Sequence, residues 1–292
     1  MSGTPVEVAV DSRSDLGEGP SWDAREGILW WVDITSGVVH RYDPASRRDT
    51  MIDVGQPVGA VVPRRSGGLA LATRDGFAVM DPGTRHVELI APVEQDLADN
   101  LMNDAKCDDS GRLWAGTMAF DSRPHAGALY RLDRDHSVTR VLDSITCSNG
   151  LGWSLDGTLM YYIDSGKQQV DVLDFDAATG EPANRRRLLE IPAGAGIPDG
   201  MAVDAEGCLW IALWGGSAVR RYTPDGRLDR VLELAVSQVT SCVFGGDDLS
   251  DLYVTSAAGG LSEDELRRYP HSGSLFVHRP GVRGRPTIGY VG

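Results

Sequence analysis

Apolar residues in this chain come in short runs, and polar turns separate them at regular intervals. Met201-Ala202-Val203 and Leu209-Trp210-Ile211-Ala212-Leu213 flank the acidic turn Asp204-Ala205-Glu206, which Gly207 closes. Two such runs around such a turn predict a pair of short strands. The hairpin recurs six times. Its copies open at Glu18, Val58, Asn103, Asn149, Asp199 and Ser241, 40 to 50 residues apart. A leucine follows ten or eleven positions later in every copy (Leu29, Leu69, Leu113, Leu159, Leu209, Leu252). The first five copies also carry a turn glycine (Gly27, Gly67, Gly111, Gly157, Gly207), whereas the sixth has Asp247 to Asp251 there.

Further strand-like segments follow the hairpins, as at Val38 to Asp43, Ala128 to Asp133 and Ala218 to Thr223. A fourth strand is predicted in most copies, for example over Val138 to Leu142 and Arg187 to Ile191. Four strands per copy, six times over, predict an all-β fold: a six-bladed β-propeller with four-stranded antiparallel blades, one domain spanning 1–292. A β-sandwich would not require the sixfold register. The segment Val6 to Val10 precedes the first copy and is expected to complete the last blade and close the ring.

In such a blade the entry to strand one and the link between strands two and three lie at the same end. The six opening residues therefore ring one mouth of the central channel, with those links around them. Two links are long. Ala119 to Gly127 contains Phe120, Asp121, Arg123 and His125; Ala257 to Gly273 contains Ser262-Glu263-Asp264-Glu265, a capping-box pattern for a short helix. Both are candidate lids. His125 is expected in solvent.

Charge and composition narrow the function. A net charge of −14 argues against nucleic acid, whose phosphates need clustered Lys and Arg. The one basic cluster, Arg185-Arg186-Arg187, reads as a solvated strand edge. The apolar runs are far too short for a membrane span. Met1-Ser2-Gly3-Thr4-Pro5 has no basic start or apolar core, so no signal peptide is expected and the default address is cytoplasmic. Cys107, Cys147, Cys208 and Cys242 form no Cys-x-x-Cys pair and read as small buried residues of a reducing compartment. The six histidines show no metal-ligand spacing, and no nucleophile elbow, EF-hand or phosphate-binding glycine loop is present.

The mouth is where chemistry gathers. Glu18, Asp199, Asn103 and Asn149 converge from separate blades, an oxygen-rich set that suits a hard cation such as Ca²⁺, Mg²⁺ or Mn²⁺. Without a cation the two carboxylates would repel, and one would tend to take up a proton. Asp and Asn beside Gly are also good turn formers, and each taken singly reads that way. Four in one register position of a closed ring point to a site. Asp109, Asp156 and Asp225 lie in interstrand turns away from the mouth, and Asp204 and Glu206 belong to a strand end and its turn.

At these positions the sequence resembles the SMP-30/gluconolactonase/luciferin-regenerating family of six-bladed propellers. The resemblance rests on Leu16-Gly17-Glu18-Gly19-Pro20-Ser21-Trp22, on Asn103-Asp104-Ala105-Lys106 through Ala115-Gly116-Thr117-Met118, and on Ser148-Asn149-Gly150-Leu151. Pro198-Asp199-Gly200-Met201 and Thr240-Ser241-Cys242-Val243-Phe244-Gly245-Gly246 extend it to the last blade. It implies one divalent cation (Ca²⁺, Mg²⁺, Mn²⁺ or Zn²⁺) held by Glu18, Asn149 and Asp199, with Asn103 near metal or substrate. It also implies hydrolysis of a lactone, commonly a sugar lactone. Asp199 is then expected to accept a proton from the attacking water or to deliver a metal-bound water as hydroxide. Members of the family often carry Arg where this chain has Leu101, and leucine cannot donate hydrogen bonds to substrate hydroxyls. That departure leaves open a less polar lactone, or a polar contact from Asp121 or Arg123. The chain is expected to act as a monomer or small homo-oligomer. The competing expectations are a non-enzymatic Ca²⁺-binding regulator and a hydrolase of another ester or a phosphotriester.

Overall fold

The inner strands are buried along almost their whole length because each blade packs against a neighbour on both faces. A computed structural model, describing residues 5–292, shows six such sheets. After β1 (Glu7–Val10), blade 1 holds β2 (Gly17–Asp23), β3 (Ile28–Asp33), β4 (Val38–Asp43) and β5 (Arg48–Asp53). Blade 2 holds β6 (Val58–Pro63), β7 (Leu69–Thr73), β8 (Gly76–Asp81) and β9 (His86–Pro92). Blade 3 holds β10 (Asn100–Cys107), β11 (Leu113–Ala119), β12 (Gly127–Leu132) and β13 (Val138–Ile145). Blade 4 holds β14 (Ser148–Trp153), β15 (Leu159–Asp164), β16 (Gln169–Asp176) and β17 (Glu181–Glu190). Blade 5 holds β18 (Ile197–Val203), β19 (Leu209–Trp214), β20 (Ala218–Tyr222) and β21 (Leu228–Glu233). Blade 6 holds β22 (Val239–Gly245), β23 (Asp251–Ser256) and β24 (Leu275–His278), and β1 pairs antiparallel with β24 as its outermost strand, Glu7 opposite Val277.

The fold is thus the six-bladed propeller expected, closed by its N-terminal strand. The reading of Met1 to Thr4 as lacking a leader lies outside the described residues. Two outer strands run longer than expected: β13 continues to Ile145 rather than ending at Leu142, and β17 begins at Glu181 rather than Arg187. The polar run of β17 hid its start, because an outermost strand has only one covered edge and little apolar content is needed there. Arg186 pairs with Asp174 at 2.8 Å and Arg187 with Glu190 at 3.1 Å on the exposed edge expected, whereas Arg185 turns inward over the Tyr162 ring to pair with buried Asp171 at 2.6 Å.

Near the axis the first strands approach very closely. A Cβ on Gly59 would lie 2.2 Å from the carbonyl oxygens of Met102 and Asn103, and one on Gly200 would lie 2.1 Å from Ser241 Oγ. Register slips between first and second strand in every blade, between Glu18 and Ser21, Val58 and Ala60, Met102 and Ala105, Ser148 and Leu151, Pro198 and Met201, and Val239 and Cys242. Such bulges re-aim side chains. Here they fall at or beside the six opening residues.

The two ends of the channel differ. At the mouth, α1 (Glu263–Arg268) forms in the long blade-6 link, with Ser262 and Glu265 completing the expected capping box. At the far end the C-terminal segment crosses the turns: Gly284 bridges Asp204, Tyr290 bridges Arg64, and Val291 N–H donates to Gly111 O. Beneath it lies a cavity of about 90 Å³, lined by Ala105, Cys107, Val203, Phe244, Pro286 and Ile288. No helix among the described residues is long and apolar enough to cross a membrane.

Candidate metal and catalytic site at the channel mouth

Glu18, Asn103, Asn149, Asp199 and Ser241 are all buried, as is Val58, the apolar member of the ring. Hydrogen bonds join three successive blades. Asn103 Nδ2 donates to Asn149 Oδ1 at 3.1 Å and to the Ser148 carbonyl at 3.0 Å. Asn149 Nδ2 donates to Ser165 Oγ at 2.9 Å, and that hydroxyl donates to the Pro198 carbonyl at 2.6 Å, beside Asp199. The Asn149 amide is thereby held with its oxygen toward Asn103. Across the ring, Glu18 Oε2 accepts the Gly19 N–H at 2.7 Å.

The charges are unbalanced. Burial holds the Glu18 carboxyl well above the usual carboxylate range, and the neighbouring Asp199 and Asp104 carboxyls push it further. Asp199 is held well above that range by burial and then by Asp104, and burial also raises Asp104. Lys106, whose Nζ donates to the Met201 carbonyl across the channel, opposes the shift at Glu18 and Asp104. Three buried acids thus face one lysine. Asp104 Oδ2 is buried without a hydrogen-bond partner. Oxygen donors from four blades, surplus negative charge and an orphaned carboxylate oxygen together fit a hard divalent cation.

Among the described residues one group of three acidic or sulfur donors has its ligand atoms all within 4.8 Å of one another, and it lies away from the ring: Asp204, Glu206 and Cys208. It is already filled by an arginine. Asp204 Oδ2 accepts from Arg221 Nε at 2.8 Å and Trp210 Nε1 at 2.9 Å, and Glu206 also pairs with Arg221. Asp204 does more than end a strand, since it anchors a buried ion pair.

One sector of the mouth is apolar. Leu101 is buried in a cluster with Val58, Val32 and Ile34, against which Leu16 and Met118 pack. Cys147, half-buried rather than fully buried as its composition suggested, continues that wall, with Sγ 3.4 Å from Met118 Sδ and 3.6 Å from Asn149 Nδ2. Burial, then the Asp199, Asp164 and Glu18 carboxyls, push its thiol up, so it is no ready nucleophile. Asp121 lies on the exposed loop, 3.6 Å from Arg123, outside the hydrogen-bond network of the ring. His125 is exposed, with Nδ1 against the Ser144 carbonyl.

Sequence reasoning passed over Asp104, Lys106, Cys147 and Ser165. A signal for Asp104 was present. The residue after each opening position is Gly19, Gly59, Gly150 or Gly200 in four blades and Cys242 in a fifth, and only blade 3 places an acid there.

The profile of the SMP-30/gluconolactonase/LRE-like region matches residues 16–258. Regucalcin from Xenopus laevis is 41% identical over 299 residues, covering all of both chains. Among solved structures, a calcium-binding protein, regucalcin, from Agrobacterium tumefaciens is 32% identical with a TM-score of 0.93, covering 97% of this chain and 96% of that one. A luciferin-regenerating enzyme is 33% identical with a TM-score of 0.91, covering 99% of this chain and 100% of that one.

Proposed function

The chain belongs to the SMP-30/gluconolactonase/LRE-like family, and we propose that it is a metal-dependent hydrolase that opens a small lactone at the channel mouth. The observation that carries this reading is the convergence of buried Glu18, Asp199, Asn103 and Asn149 in one register of the ring, with an apolar wall beside them. Glu18, Asn149 and Asp199 would hold the cation. When bound, the cation would supply Lewis-acid stabilisation to the carbonyl oxygen of the substrate.

The protein's own groups would do the rest. Asp199 accepts the proton of the attacking water, which a bound cation would acidify while it lowers the basicity of the carboxylate. Both Nδ2 protons of Asn103 are engaged, by Ser148 and Asn149. Its Oδ1 is left to accept from water or a substrate hydroxyl. Val58, Leu101 and Met118 offer no hydrogen bonds, so the non-ester part of the substrate is less polar than a sugar.

The test is a panel of sugar lactones, alkyl-substituted lactones, simple esters and phosphotriesters, each with Ca²⁺, Mg²⁺, Mn²⁺ or Zn²⁺. Hydrolysis of an alkyl lactone, lost on chelation, is the expected result. The calcium-binding description of the Agrobacterium relative favours a second reading, a Ca²⁺-binding regulator without catalysis. Tight Ca²⁺ binding beside hydrolysis of no member of the panel would establish that instead.

A further inference from the structure

Asp104 has no equivalent in the other blades. The position it occupies is glycine in four of them, where the neighbouring first strand leaves no room for a side chain; on Gly150, for instance, a Cβ would lie 2.8 Å from the Asp199 carbonyl oxygen. Blade 3 instead sends a carboxylate into the crowded axis. It is 96% buried by side-chain surroundings that leave it 4% exposed, and its Oδ2 has no partner. An unpartnered carboxylate oxygen at such a place costs several kcal/mol unless something pairs with it. Two residues on, the same strand supplies Lys106, which reaches across to the Met201 carbonyl of blade 5 rather than to Asp104.

We propose that Asp104 adds its charge to the cation site from outside the ion's own ligand set and that Lys106 is its built-in counter-charge. The proposal rests on the cation reading above. With Glu18, Asp199 and Asp104 ionised and Lys106 protonated, the channel carries a net charge of about −2, which a divalent ion cancels. Lys106 also forms part of the wall of the cavity under the C-terminal segment, whose lining includes none of the three acids. The lysine therefore sets which ionic charge the mouth accepts: a site of three carboxylates alone would favour a trivalent ion.

Calorimetric titration with Ca²⁺ alone and with Tb³⁺ alone tests this without reference to catalysis. Asp104→Asn should weaken Ca²⁺ binding about tenfold or more, as loss of a supporting partner does in other metal sites. Lys106→Met should shift the preference from Ca²⁺ toward Tb³⁺, and the double variant Asp104→Asn/Lys106→Met, with the net charge of the parent, should return it toward Ca²⁺. A merely structural pair would not produce that reversal. If Asp104→Asn does not fold, Asp104→Ser should show the same loss. A parent that binds Ca²⁺ beside an Asp104 variant of equal affinity, or a Lys106 variant of unchanged ion preference, overturns the proposal while leaving the cation reading intact. A parent that binds neither ion overturns both.

Discussion

Replacing Asp204 with alanine separates scaffold from site. Asp204 Oδ1 accepts the N–H groups of Glu206 at 2.9 Å and Cys208 at 3.0 Å, and Oδ2 accepts Trp210 Nε1 and Arg221 Nε. Arg221 is buried, and after truncation it keeps Glu206 and Asp229 while Trp210 and Cys208 lose their acceptor. Removing one partner of a buried ion pair costs about 3–5 kcal/mol, and the two surviving partners put the loss at the lower end, about 3 kcal/mol. At roughly 2–4 °C per kcal/mol for a chain near this size, the melting temperature should fall by about 6–12 °C. Thermal unfolding with and without Ca²⁺ reads the result: the same fall in both, with the Ca²⁺-induced rise intact. Asp108 provides an internal replicate, because it accepts from Arg112 Nε at 2.6 Å and Trp114 Nε1 at 3.0 Å in the same way. A melting temperature matching that of the parent, or loss of the Ca²⁺ response, would refute the reasoning.

Four further outcomes follow from the mouth. Asp199→Asn should lower lactone turnover by about 10²-fold or more; in chelator it should raise the melting temperature, since one of three mutually repelling acids is gone, and a lowered value there would contradict the charge argument. Cation binding should release protons and tighten as pH rises, which calorimetry in two buffers of different ionisation enthalpy measures. The cation-free protein should show the opposite trend: Glu18, Asp199 and Asp104 have raised native values, so the unfolded chain binds fewer protons, and stability present below the ordinary carboxylate range is lost as pH climbs through the native values. Leu101→Ala should lower kcat/KM about tenfold or more for an alkyl lactone relative to a sugar lactone, and an unchanged ratio would remove the apolar wall from substrate recognition.

The fold was legible because it repeats. A leucine at a fixed distance from each opening residue, and a turn glycine in five copies, reveal six hairpins even where a single copy is ambiguous. The polar outer strand β17 was partly hidden, since a strand covered on one edge need not be apolar. The oxygen donors at the mouth were legible from the same register. What register could not show was partnership. Ser165 lies between Asn149 and Pro198 because the link after β15 folds back, and no spacing in the sequence reveals that contact. Cys147 became part of the rim wall through its contact with Met118, 29 residues away.

The contrast between Asp104 and Asp204 shows what separates a structural acid from a chemical one here. Both are buried aspartates, Asp104 within β10 and Asp204 just past the end of β18, and composition treats them alike. Asp204 is surrounded by donors from its own blade: two backbone N–H groups of its turn, the Trp210 indole of β19 and the Arg221 guanidinium of β20. The turn spacing creates this, for Asp204 and Trp210 stand six residues apart, as do Asp108 and Trp114. In blade 1 the spacing from Asp23 to Trp30 is one longer, and the Trp30 indole N–H is left without a partner while Asp23 takes Arg25 instead. Asp104 has no such turn, for it stands where the other blades need glycine. A carboxylate satisfied by its own hairpin has nothing left to offer a ligand. Asp104, with the Ala105 N–H and the Lys106 charge as its compensation, keeps Oδ2 unpartnered, and a cation in the channel would supply the rest and stabilise the mouth.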